Sequence, residues 1–353
     1  MTEAKTDIKS LYPEEVAGLL KEMGEPSYRA SQVFTWLHRY GAAAFSEMTN
    51  LPKSLREALD GRCRIPGCEK AAVQVSKADG TRKYLFRLSD GHLIESVLMR
   101  YRYGISVCVS TQVGCRMGCR FCASTLGGRV RDLLPSEILD QVYRIEADAG
   151  ERVSHVVLMG SGEPFDNYDA VVRFLRLVSD PGGKQISLRN ITVSTCGLTE
   201  GILRFAGEGL PVTLALSLHA SDDETRKKLM PVANRYTLKE VLEACDTYFR
   251  KTGRRVSCEY SVVRGVNDTD KDAEKLGRLL AGRKMHVNLI PVNPVTENRF
   301  ERPDPGSIAA FQKKLTACGV HATVRRELGT DIDGACGQLR AHFLNPGEGG
   351  TVS

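Results

Sequence analysis

Short apolar stripes at helical spacing open the chain. Val16, Leu19, Leu20 and Met23 follow Pro13, a residue suited to a first helical turn because the amide hydrogen it lacks has no intrahelical partner there. Val33, Phe34 and Leu37 form a second stripe, and the span from Leu51 to Leu59 a third. Residues 1–62 therefore read as a small helical domain. The texture then changes. The run 72–75 (Ala-Val-Gln-Val), the run 83–88 (Lys-Tyr-Leu-Phe-Arg-Leu) and the run from His92 to Met99 are separated by Asp79-Gly80 and Asp90-Gly91. Such dipeptides between β-rich runs mark hairpins, so residues 63–104 read as a short antiparallel meander and linker.

From Ile105 onward, apolar strand-length runs alternate with helical stripes. Strands are expected over 105–110, 154–159, 190–195, 212–217, 257–263 and 285–290. Helices are expected over 135–149, 169–178, 238–251, 272–281 and 307–318. Strands apolar on both faces, each followed by a helix, predict an α/β fold with a parallel sheet. An open doubly wound sheet and a partial barrel both satisfy the pattern. Residues 105–323 form this unit, and 324–353 read as a C-terminal loop and tail.

Composition narrows the class. The 353 residues are 42% hydrophobic, which suits a packed globule. The longest apolar stretch, Leu210 to Leu218, is too short to cross a membrane and contains Pro211. The first residues alternate charges with no apolar core, so no secretory signal is expected and the cytoplasm is the expected location. Eleven cysteines, an odd number, argue against a disulfide framework and for reduced thiols. The net charge of +6 permits a nucleic-acid partner without requiring one.

The chemistry concentrates after the first parallel strand. Cys115, Cys119 and Cys122 form a C-x3-C-x2-C cluster interleaved with Gly114 and Gly118, which allow the tight turns that bring three thiols together. A structural zinc site needs a fourth ligand, and none follows at comparable spacing. A 4Fe-4S cluster on three cysteines instead keeps one iron open. The amino and carboxylate groups of S-adenosylmethionine suit that iron, and an electron from the cluster could cleave the sulfonium to a 5′-deoxyadenosyl radical. The spacing is similar to that of the radical S-adenosylmethionine superfamily, and the other strand ends fit its cofactor contacts. These are Gly162 and Glu163 after the second strand, Ser194 on the third, Ser217, Leu218 and His219 on the fourth, and Asn293 beyond the sixth. Ligands of parallel α/β folds gather at such ends.

Two further cysteines extend the resemblance. Cys108 lies in the segment CVSTQVGC, and Cys336 in the Gly-flanked segment DIDGACGQL. With the Gly-Glu-Pro and Ser-Leu-His runs, these closely resemble the RlmN/Cfr family of radical S-adenosylmethionine RNA methyltransferases over essentially the whole chain. Gly162-Glu163-Pro164 favours the branch that methylates carbon 2 of adenosine in 23S rRNA and certain tRNAs; the carbon-8 branch more typically has Ala after the Glu. The resemblance implies a partial (β/α)6 barrel, one 4Fe-4S cluster and two S-adenosylmethionine per turnover. It implies that Cys336 is first methylated by displacement, and that the radical then abstracts hydrogen from that methyl group. The carbon radical adds to the base, giving a transient protein–RNA adduct. Cys108 resolves it, forming a transient disulfide with Cys336, and Glu95 acts as proton acceptor. Flavodoxin or ferredoxin is the implied electron donor, and a monomer the expected state.

For the RNA, the basic candidates are Arg62, Arg64, Lys70, Lys77, Arg82, Lys83 and Arg87, with Arg129, Arg131, Arg325 and Arg326 beside the cysteine segments. Residues 1–104 hold 16 Lys+Arg against 13 Asp+Glu, so no basic stripe stands out, although the N-terminal domain is the expected clamp. The rival readings are a carbon-8 methyltransferase, another radical enzyme such as a glycyl-radical activase, and a zinc-stabilised RNA-binding protein. Cys196, beside Ser194, receives no role, and Cys63, Cys68, Cys245, Cys258 and Cys318 are expected to be inert.

Overall fold

The computed structural model describes residues 5–292, 300–333 and 339–340. Ten strands form one sheet whose spatial order follows the chain. They are β1 (Cys68–Val75), β2 (Arg82–Leu88), β3 (Leu93–Tyr101), β4 (Gly104–Cys108), β5 (Val153–Leu158), β6 (Ile191–Thr195), β7 (Thr213–Ser217), β8 (Val256–Val262), β9 (Met285–Pro291) and β10 (Ala322–Val324). Strands β1 to β4 pair antiparallel and β4 to β10 pair parallel. The meander is thus the continuation of the parallel sheet, joined through Val97↔Cys108 and Tyr101↔Gly104. Its hydrogen bonds need a partner edge, and β4 supplies it.

Helices α1 (Pro13–Glu22), α2 (Tyr28–Thr35) and α3 (Lys53–Arg62) form the N-terminal region. The crossovers are α4 (Pro135–Ala149), α5 (Tyr168–Ser179), α6 (Thr199–Gly207), α7 (Asp223–Leu229), α8 (Leu238–Thr252), α9 (Asp270–Leu280) and α10 (Pro305–Ala317). The six expected strands and five expected crossover helices are all present. Helices α6 and α7 and strand β10 add to them. The sequence hid α7 because it reads DETRKKL, charged at nearly every position, and is started by Asp222, whose side chain accepts from Thr225 N at 2.8 Å. Parallel strands flanked by helices, with β10 at the end of the sheet among the described residues, make the partial barrel that the resemblance implies. No helix among the described residues is long and apolar enough to cross a membrane.

The N-terminal helices share one apolar core with the barrel, running from Ile8 and Val16 through Phe34 to Val142 and Phe174. A buried ion pair pins the junction: Lys9 Nζ lies 2.7 Å from Asp140 Oδ1, both side chains fully buried. Asp140 also accepts from Cys68 N at 2.7 Å and from Arg144 Nε at 3.0 Å. Burial pushes the Asp140 carboxyl up, but Lys9 and Arg144 outweigh it and hold it below the usual range.

Candidate active site

The carboxyl ends of the parallel strands surround a cavity of about 570 Å³. Cys115, Cys119 and Cys122 line it together. Their loop is held at each end: Cys115 N donates to Gly128 O at 3.0 Å, and Arg120 N donates to Leu229 O, at the end of α7, at 2.9 Å. Thr125 Oγ1 donates to the carbonyls of Cys119 and Cys122, closing the turn. Gly114 and Gly118 adopt φ of +76° and +69°, as the turn requirement anticipated. Burial pushes the Cys115 thiol up to about 11 and the Cys119 thiol further, with Cys122 and Cys115 adding to the latter. Such thiols become thiolates only when a metal group binds them.

The segment after β5 wraps under this loop. Thr111 N and Gln112 N donate to Ser161 O at 2.8 and 3.1 Å. Gly162 has φ +113°, and a Cβ there would lie 2.7 Å from both Gln112 N and Thr111 Oγ1. Backbone passes this close only without a side chain, so the run Gly160-Ser161-Gly162 forms a cradle at the cavity wall. Glu163 is buried and its carboxylate accepts from Cys196 N at 2.8 Å and Phe165 N at 3.0 Å. Burial raises its pKa, and these two amides pull against the rise. The Thr195 and Cys196 side chains also bond this carboxylate, so it is held as an acceptor at the cavity wall. Cys196 therefore joins the site through its backbone and its thiol, the latter buried with a pKa pushed well up.

Ser194 and Ser217 line the cavity at the ends of β6 and β7. His219 is buried with φ +55°. Its Nδ1 accepts from Ser261 N at 2.8 Å, which leaves Nε2 to carry the proton, and burial then Arg226 hold its pKa down at about 3. The ring stands edge-on to Phe121 at 4.7 Å between centroids. The Leu218 side chain belongs to the hydrophobic core and is absent from the cavity wall, so Leu218 serves the site through its backbone. Asn293 lies outside the described residues.

Sequence reasoning missed Arg226. It sits in α7 with no exposed surface, and its guanidinium donates to Cys196 O at 2.7 Å, Leu218 O at 3.2 Å, Ser217 O at 3.3 Å and Tyr236 O at 3.5 Å. It ties the ends of β6 and β7 together behind the cysteine loop. No local signal marks it, because the neighbouring Lys227 and Lys228 make the helix look solvated.

Cys108 ends β4, is 8% exposed and lines the cavity. Glu95 lies outside the cavity wall, on the same face of β3 as Val97, which lines it. The Lys83 and Glu95 side chains pair at 3.0 Å in the interior, so Lys83 is no surface contact for RNA. Lys70 and Arg82 pair with Asp148, and Arg129 and Arg131 also sit in ion pairs, whereas Arg325 and Arg326 line the cavity. Cys336 is outside the described residues, but the chain on both sides of it docks beside these groups. Asp331 accepts from Ser76 Oγ at 2.6 Å and Lys77 N at 2.8 Å, Asp333 accepts from Gln74 Nε2 at 2.9 Å, and Arg340 N donates to Glu95 Oε1 at 2.6 Å.

Three cysteines facing one cavity, a glycine cradle a Cβ would fill, and a buried carboxylate beside it fit a three-cysteine iron–sulfur cluster and S-adenosylmethionine. The partial barrel and this site define a radical S-adenosylmethionine enzyme, and the model of the radical SAM superfamily matches residues 109–277. Residues 6–65 match the ribosomal RNA large subunit methyltransferase N-terminal domain. A relative from Lachnospira eligens, named "Probable dual-specificity RNA methyltransferase RlmN", is 52% identical over 96% of this chain and 97% of its own. One of the same name from Lachnoclostridium phytofermentans is 55% identical over 97% and 96%. The crystal structure of a radical SAM methyltransferase from Sphaerobacter thermophilus superposes with a TM-score of 0.90 at 43% identity, over 94% of this chain and 98% of that one. The chain belongs to the RlmN family of radical S-adenosylmethionine RNA methyltransferases.

Proposed function

We propose that this enzyme methylates carbon 2 of an adenosine in 23S rRNA and of an adenosine beside the anticodon of certain tRNAs. The observation that carries the reading is convergence: Cys108 and the three loop cysteines line one cavity, and the chain flanking Cys336 docks on β1 and β3 next to it. The names of the relatives and the Gly162-Glu163-Pro164 run support the choice of carbon and of RNA.

Cys115, Cys119 and Cys122 would hold the cluster, with Gly162, Glu163, Ser194, Ser217 and His219 around S-adenosylmethionine, and Asn293 as a further contact. The bound cluster and cofactor supply the methyl group and the one-electron chemistry. The protein's part begins with Cys336, whose thiol accepts the methyl group and presents it to the base. Carbon 2 of adenine is a poor nucleophile, so direct transfer from a sulfonium fails and a protein-borne methyl is needed. Glu95 takes the carbon-2 proton, and Cys108 as thiolate attacks the Cys336 sulfur, so that the sulfur–carbon bond breaks. Its electron pair stays with the released carbon, which takes a proton to become the methyl group, and a disulfide is left that a reductant reopens. Two S-adenosylmethionine are consumed per turnover. In this reading residues 1–62 help clamp the RNA, residues 324–353 carry the methyl acceptor, and the enzyme is a cytoplasmic monomer fed by flavodoxin or ferredoxin.

Mass spectrometry of nucleosides from rRNA and tRNA, after anaerobic incubation with S-adenosylmethionine and a reductant, tests this. 2-Methyladenosine in both RNAs is the expected result. A methyl group on carbon 8, or none, overturns it.

A further inference from the structure

Beneath the catalytic cavity lies a second chamber of about 660 Å³, within the range of about 300–1,000 Å³ common for small-ligand sites. Its wall comes from the opposite ends of the strands, including Thr213 at the start of β7, Ser257 in β8 and His286 in β9. Met99, Tyr101 and Glu259 line both chambers, so the two adjoin in the barrel interior.

The lower chamber is strongly cationic. Arg254, Arg255, Arg325 and Arg326 line it, the last two also reaching the catalytic cavity; among the described residues none of the four lies within ion-pair distance of a carboxylate, although the Arg325 charge pulls on Glu259. Its one lining carboxylate, Glu259, is engaged by Ser257 Oγ at 2.8 Å and Asn288 Nδ2 at 2.9 Å. Arg254 is held in place, Nη2 donating to Thr213 Oγ1 at 2.8 Å, and its Nε is buried without an acceptor among the described residues. At the rim, Tyr103 stacks on Tyr101 with centroids 4.9 Å apart and planes within 7°, yet remains 62% exposed. Guanidiniums without a carboxylate partner recognise phosphate, and an exposed ring on a fixed partner is a platform for a base.

We propose that the lower chamber is a second nucleotide site, where the arginines hold a phosphodiester and Tyr103 stacks a base of the RNA strand whose adenosine enters the upper cavity. The proposal rests on the RNA methyltransferase reading and specifies how that substrate is held. An unstacked target base needs its neighbours fixed, and a chamber that adjoins the site is placed to hold one of them.

The test is fluorescence anisotropy with a labelled single-stranded oligoadenylate and the full chain. Arg254→Gln/Arg255→Gln should weaken binding about tenfold or more and flatten the plot of log K against log salt by about 0.7 for each phosphate no longer neutralised. Tyr103→Ala should weaken it about five- to a hundredfold, while Tyr103→Phe keeps the ring and binds as the parent does. Parental affinity and slope in both the double variant and Tyr103→Ala, with melting temperatures unchanged, overturn the proposal. Adenosine monophosphate is the second probe: if the arginine variant loses only its binding and still holds the oligonucleotide, the chamber takes a free nucleotide and the proposal fails. RNA methylation by the parent enzyme separates the two readings. Methylation alongside unaltered variant binding sinks the lower site alone, whereas no methylation sinks the function it rests on.

Discussion

Lys83 Nζ and Glu95 Oε2 stand 3.0 Å apart with exposures of 0% and 4%, an ion pair sealed inside the sheet between β2 and β3. The other Glu95 oxygen accepts the backbone N–H of Arg340, four residues beyond Cys336. One carboxylate thus joins the meander to the C-terminal segment. Lys83 both neutralises Glu95 and fixes where its oxygens point.

Glu95→Gln should therefore damage fold and reaction together. It removes the negative charge facing the buried Lys83 ammonium, and breaking such a pair costs about 3–5 kcal/mol in comparable cases, read as a lower urea midpoint. The Lys83→Met/Glu95→Leu double variant should recover most of that stability and none of the RNA methylation. Recovery of methylation as well would remove Glu95 from the reaction.

Removing the thiol proposed as methyl acceptor separates the steps. Cys336→Ala should retain the brown cluster absorbance while losing both protein methylation and RNA product. Cys108→Ala should accumulate a protein–RNA adduct, visible as a shifted band on a denaturing gel. Any single change among Cys115, Cys119 and Cys122 should bleach the protein, and a coloured, active variant would show the ligands to be misassigned.

Arg226 offers a test of how the cofactor wall is held. Arg226→Met leaves the carbonyls of Cys196, Ser217 and Leu218 without this donor. Each buried acceptor left unpaired costs about 1–3 kcal/mol. The variant should unfold at lower urea and bind S-adenosylmethionine more weakly by isothermal calorimetry. Arg226→Lys, with fewer donors, should fall between. Equal cofactor affinity in all three proteins would reduce Arg226 to a purely structural tie.

The Lys9–Asp140 pair predicts an acid-labile junction. The Asp140 carboxyl is held below its usual range in the fold. Its contribution is therefore complete above the unfolded-state value of about 3.9, and is lost as pH falls through the lower folded value. Urea midpoints of the parent and Asp140→Asn should be well separated at pH 7 and converge as pH drops below about 4. A gap that stays constant with pH would mean that the charge on Asp140 contributes nothing.

Much of this was legible along the chain. Alternating strand and helix stripes located the six main strands because each segment buries itself through neighbours a few residues away. The three loop cysteines and their glycines fall within nine positions, 114–122, so their convergence is a local matter of turns. The sequence could not tell which part of Leu218 faces the cavity: its neighbours Ser217 and His219 line the wall, whereas the Leu218 side chain packs in the core and only its backbone meets the site. The burial of Lys83 and the roles of Arg226, Arg254 and Arg255 were illegible for one reason. A charge is buried or exposed according to partners far off in sequence, and no periodicity reports them.

The sequence by itself determined the strand–helix alternation, the cysteine loop and the family, since those rest on spacing and local propensity. The tertiary structure alone decided that the meander extends the barrel sheet, that Glu95 is paired by Lys83 from the neighbouring strand, and that Arg254, Arg255, Arg325 and Arg326 share one chamber. Each of these depends on contacts between residues distant in the chain, formed only when the sheet assembles.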